Sequence, residues 1–139
     1  MRSDKMQMSA VPQTSEHVLI SNNVPKDIVL PYGAIVEDIK VVLQVVDPDA
    51  GGVATGAEID LGTTALANYY KASAIACDST AAASVGVQNS IDGAKMMTAV
   101  PADRTIRITP NSFGTTNTAK VYVWVNYRFA PNNYPTQLV

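Results

Sequence analysis

Few side chains in this 139-residue sequence can do chemistry, and they stand far apart. There is one histidine, His17, and one cysteine, Cys77. A hydrolytic triad would need His17 as its base, within reach of a serine and an acid. His17 stands in "SEHVLI", beside a polar N-terminal stretch, and no Gly-x-Ser-x-Gly elbow occurs. Cys77 has no evident base partner and reads as a small buried thiol. A lone cysteine forbids an intrachain disulfide, and one His with one Cys cannot assemble a multi-ligand zinc site in one chain. Asp47 and Asp49 in "DPDAGG" are spaced like the start of a calcium loop. The further oxygen ligands and the closing glutamate are missing, so the segment reads as a turn. Glu37, Asp38, Glu58 and Asp60 could in principle supply the carboxylate pair of a glycosidase. Adjacent Glu37 and Asp38 should point to opposite faces of a strand, and solvated strand positions account for all four. Glu37 falls on the apolar side of its segment, which a strand end would explain. No phosphate loop or dinucleotide fingerprint is present. These residues predict no catalytic site, no metal and no cofactor, and hence no enzyme.

The elements that carry these residues read as β throughout. "HVLI", "KDIVL" and the long "AIVEDIKVVLQVV" (residues 34–46) are strand-like, with a "PYGA" turn before the last. In the long run Ile35, Ile39, Val41, Leu43 and Val45 alternate with Asp38, Lys40 and Gln44, the period of a half-buried strand. "GAEIDLG" puts Ala57, Ile59 and Leu61 on one side and Glu58 and Asp60 on the other. Residues 65–84 are alanine-rich without a helical stripe, and a short helix near residues 65–71 stays open. "AKMMTAV" and "RTIRIT" are two further strands, followed by a turn-rich "PNSFGTTNT".

The closing stretch "AKVYVWVNYRF" alternates most regularly. Val121, Val123, Val125, Tyr127 and Phe129 form a core face, each side chain worth about 1.5–3 kcal/mol when fully buried. Lys120, Tyr122, Trp124, Asn126 and Arg128 face the other way and carry the chain's one tryptophan. A strand of this length and apolarity suits a central place in its sheet. The prediction is an all-β fold: an antiparallel, jelly-roll-like β-sandwich of about six to eight strands. Residues 1–16 form a flexible N-terminal arm, 17–131 the sandwich and 132–139 a C-terminal tail.

Composition bounds the partners. Hydrophobic residues make up 47% and charged residues only 16%, against a usual charged share of roughly 25%. So weakly charged a surface is expected to be covered in part by an assembly. The net charge is −2 and no Lys/Arg cluster occurs, which argues against nucleic acid. No signal peptide and no membrane-spanning run is read from the sequence.

Three segments together, "LPYGAIVEDIKVVLQVV", "AEIDLG" and "VPADRTIRITPNSFGTTNTAKVYVWVNYRF", resemble small β-sandwich structural proteins of tailed bacteriophages, over residues from about 26 to 129. The closing strand departs from the family pattern, with "NTAK" where a glycine is usual. The resemblance implies a non-enzymatic virion protein, most simply a head decoration or cement protein. Its partners would be the major capsid protein or other virion subunits, and it would be a homo-oligomer, a trimer by preference. It would be assembled in the host cytoplasm and located on the capsid surface. Lys120, Tyr122, Trp124, Asn126 and Arg128 are the candidate interface, since Trp, Tyr and Arg are enriched at interface cores. The alternative is a tail- or fibre-associated receptor- or carbohydrate-binding module, with Tyr122 and Trp124 as a stacking platform.

Overall fold

The alternating segments fold as strands in the computed structural model, which describes residues 11–47 and 56–129. The described residues contain β1 (Gln13–Thr14), β2 (Val18–Ile20), β3 (Lys26–Val29), β4 (Ala34–Val45), β5 (Glu58–Gly62), β6 (Ile75–Ala76), β7 (Gln88–Asn89), β8 (Thr98–Ala99), β9 (Thr105–Asn111) and β10 (Lys120–Phe129). The strands longer than two residues are β2, β3, β4, β5, β9 and β10, all of them in segments that read as strands in the sequence. Asp49 and the rest of the "DPDAGG" turn after Asp47, residues 1–10 of the arm and the whole tail lie outside the described residues.

Two antiparallel sheets face each other. In the first, β1 and β2 share one edge of β10, β10 pairs with β4, and β7 and β8 share the far edge of β4. The second runs β3-β9-β5-β6. Counting each split edge as one position gives four positions per sheet, in the chain order of a jelly roll. Between the sheets lie Ile20, Ile39, Val41, Leu43, Ile59, Leu61, Ile106, Ile108, Val121, Val123 and Val125, all buried. Tyr127 and Phe129 continue the inner face of β10, half-buried and edge to face at 6.2 Å.

Two irregularities in the β4–β10 ladder determine which way β4 presents its side chains. Asn126 pairs with Asp38 but Tyr127 with Val36, so Glu37 is an extra residue. At the other end Val121 pairs with Leu43 and Lys120 with Val45, leaving Gln44 extra. Each extra residue reverses the phase of burial, because side chains alternate with period two. Ala34 and Val36 are therefore buried before the first bulge, and Ile39, Val41 and Leu43 after it. Glu37 leaves the apolar side because of this mid-strand bulge, rather than because it ends a strand. Val45, expected inside, is 40% exposed for the same reason.

Other expectations needed correction. Residues 94–100 are mostly not extended. Gly93–Lys95 form a 3₁₀ turn, Met97 takes a left-handed φ of 60°, and only Thr98–Ala99 pair, with Ile35 and Val36. The helix left open at 65–71 does not form. The chain there folds back on Gly62, where an added Cβ would lie 2.2 Å from the carbonyl oxygens of Leu66 and Ala67. Asp78 caps a 3₁₀ turn over Ser79–Ser84, accepting from the Thr80 N–H at 3.0 Å and the Gly56 N–H at 2.9 Å. Asp47 is more than a turn residue. It is buried, its N–H donates to the Cys77 carbonyl, and its carboxylate accepts the Gly114 N–H at 2.5 Å.

Residues 13–15 of the expected arm run along this chain's own β10. Gln13 and Thr14 pair with Tyr127 and Asn126. Ser15 then accepts the Val125 N–H on its hydroxyl at 2.8 Å and donates its own N–H to the Val125 carbonyl at 2.9 Å. A side chain thus substitutes for a backbone acceptor where the edge changes from β1 to β2.

Candidate functional site

The five residues singled out on β10 all lie on the outer face of the first sheet, and the neighbouring strands divide four of them into two groups. Lys120 is exposed and the other four are half-buried. At the C-terminal half of β10, Arg128 pairs with Glu37, whose side chain is 17% exposed against 40% for Arg128. Asn126 accepts from the Thr14 hydroxyl at 3.4 Å. These two are engaged within the chain.

Tyr122 and Trp124 form the other group. They line a shallow concavity of about 330 Å³ together with His17, Val42 and Gln44. Val42 pairs with Tyr122 and Lys40 with Trp124, so the side chains from β4 stand beside the rings. His17, between β1 and β2, stacks on Trp124 with ring centroids 4.4 Å apart and planes 19° apart. Leu19, opposite Tyr122, is 40% exposed. Lys40 closes the Trp124 end, bonded to the Ser90 hydroxyl at 2.8 Å and to Asp38 at 3.0 Å. Asp38 also accepts the N–H groups of Ile39 and Ile91. The result is an aromatic and aliphatic patch with an amide and an imidazole at its border.

His17, Leu19, Val42 and Gln44 were missed from the sequence as members of this patch. The β4 pair was accessible in principle, since the even positions of "IKVVLQ" face the even positions of "VYVWVN" once the strands are set antiparallel. The position of His17 was not, because it depends on β2 pairing with β10 across a sequence separation of about a hundred residues.

The outer face of the second sheet also carries an ion pair. Asp27 and Arg107 form a two-contact ion pair at 2.8 and 3.0 Å, and the hydrogen bond from Arg107 holds the Asp27 carboxyl below the usual carboxylate range. Asn111 donates to Asp60 at 3.1 Å. Such pairs belong to a solvated surface and contribute little to stability.

The residues weighed for chemistry stay dispersed. Cys77 is buried, its Sγ 3.4 Å from the Ile75 carbonyl, and burial with the nearby Asp78 carboxylate pushes its thiol up to about 12. His17 is occupied by Trp124. Among the described residues no three His, Cys, Asp or Glu side chains gather as a metal site, and no helix is long and apolar enough to cross a membrane.

This architecture has a solved counterpart. Over 87% of its length the chain superposes on 86% of a chain described as the capsid asymmetric unit of cyanophage Pam1, with a TM-score of 0.60 and 18% identity. The shared property is the fold, a jelly-roll sandwich. No family model and no curated protein matches the sequence.

Proposed function

We propose that this protein is a non-enzymatic structural component of a virion, a head decoration or cement protein that lies on the capsid surface and stabilises the shell. The observation that carries this reading is the patch of Tyr122, Trp124, His17, Val42 and Gln44, built on the outer face of a sheet in a fold that is shared with a phage capsid chain. A fold by itself does not define a function. The low charge of the sequence and the aromatic character of the first sheet's outer face add to the case. Partners would be the major capsid protein and further copies of this chain, with a trimer favoured. Lys120, Asn126 and Arg128 would form the polar rim of the contact around Tyr122 and Trp124.

The test is a Trp124→Ala variant added to particles that lack the protein. The expected result is a folded variant that no longer co-sediments with particles, while wild type does so in hundreds of copies per virion by quantitative mass spectrometry. A few copies per virion would place the protein in the tail instead.

The second reading is a carbohydrate-binding module of a tail or fibre, favoured by Gln44 and His17 beside two aromatic rings. Against it, one face of Trp124 is already covered by His17. A Trp124→Ala variant that joins particles normally and loses binding on a glycan array would decide for this reading.

A further inference from the structure

A second concavity lies away from the β10 face. Thr63, Leu66, Tyr69 and Tyr70 from the β5–β6 connection form one wall, and Ala99, Pro101, Ala102 and Asp103 from the β8–β9 turn form the other, around about 460 Å³. Leu66 is 52% exposed at its rim. Lys95 sits over the Tyr69 ring at 3.8 Å, and Thr64 donates to Asp103 at 2.6 Å, a bond between two lining residues that ties one wall to the other. The groove is apolar, with tyrosine and proline in its lining.

The end of β10 approaches this groove. Phe129 pairs with Ala34, and the Ala34 carbonyl accepts the Val100 N–H at 3.0 Å. Val100 stands between Ala99 and Pro101, two of the lining residues. Two strand spacings, roughly 10 Å, therefore separate the last described residue from the groove wall. The ten residues that follow, "APNNYPTQLV", reach up to about 33 Å when extended. They carry no charged side chain, and Tyr134 sits between Pro131 and Pro135. Proline-containing segments dock in aromatic-lined grooves because their extended form loses little entropy on binding.

We propose that this groove is the docking site of the chain's own residues 131–135, with Tyr134 and Pro135 against Leu66, Tyr69 and Pro101. Tethering at Phe129 supplies an effective concentration in the millimolar range, enough to keep even a weak contact occupied. The groove residues come from two separate loops, so the docked tail would clasp the β5–β6 connection to the β8–β9 turn. This inference is independent of what the β10 face contacts.

The test uses the full chain with Thr136→Cys carrying a spin label, Cys77 being buried and therefore unlabelled. The expected result is selective broadening of the Leu66, Tyr69 and Ala102 amide signals. A Leu66→Arg change, at an exposed position, should abolish that broadening while the rest of the spectrum persists. Absence of broadening at the groove in the wild-type background would overturn the proposal. So would broadening that disappears when labelled chain is diluted with excess unlabelled chain, since the tail would then occupy a neighbour's groove.

Discussion

Arg128 donates to Glu37 at the point where β4 carries one residue more than β10. The pair occupies the outer face, although strict alternation along β4 assigns Glu37 to the core. The bulge re-aims a carboxylate that would otherwise be buried without a partner, at a cost of several kcal/mol. A double-mutant cycle with Glu37→Gln and Arg128→Met should give a coupling of about 1 kcal/mol in urea unfolding. Deleting Glu37 leaves all other β4–β10 pairs in register, so that variant should fold. Deleting Val41 shifts the inner residues outward and should not.

His17 over Trp124 predicts a spectroscopic signature. Trp124 is the one tryptophan, so intrinsic fluorescence reports on it alone. His17→Ala should shift the emission to longer wavelength as the ring gains solvent, with a stability loss of about 1 kcal/mol or less for an exposed ring pair.

The Cys77 thiol is raised from 9.0 to about 12, chiefly by burial. The unfolded chain therefore gives up this proton at lower pH than the folded chain. Stability should fall as pH rises from about 9 toward 12, by about 1.4 kcal/mol per unit at most. Cys77→Ala should flatten that limb in urea unfolding measured across the range. In the native protein at pH 8 the thiol should stay inert to a disulfide reagent and react on unfolding.

Asp78 is shifted the other way. The Thr80 hydroxyl first, and then the Gly56 N–H, hold its carboxyl below the usual range. The stabilisation is complete above the unfolded carboxylate value of about 3.9 and is lost as pH falls through the lower folded value. Asp78→Ala should lower stability at pH 7 by about 1 kcal/mol, as loss of a cap does, and should soften the acid transition followed by circular dichroism.

Gly62→Ala should destabilise by roughly 3 kcal/mol, because the added methyl meets backbone carbonyls that cannot yield without moving the loop. Thermal unfolding would register this as a Tm several degrees lower.

The sequence carried the fold where alternation was uninterrupted. Val121 to Phe129, Ile59 with Leu61, and Ile106 with Ile108 all face as their period requires, which is enough to define two packed sheets. It failed where a single residue changes the phase. Nothing local in "AIVEDIKVVLQVV" separates a bulge at Glu37 from a strand end, because the bulge is defined by the partner strand. The left-handed φ of Met97 is equally silent, since methionine does not announce such a conformation. At the candidate site the β10 residues were legible by type and spacing. The stacking of His17 and the internal engagement of Arg128 and Asn126 were not, because each depends on a long-range pairing.

The ladder on both sides of β10 bears on self-association. "VYVWVNY" combines β-branched and aromatic residues without a proline or a charge, the profile of a segment that stacks into cross-β fibrils when its edge is free. Here β4 covers one edge, and β1, Ser15 and β2 cover the other. Residues 11–20 thus act as a sheath for the most aggregation-prone stretch of the molecule. A proteolytic nick that releases them should convert the protein into a thioflavin-binding precipitate.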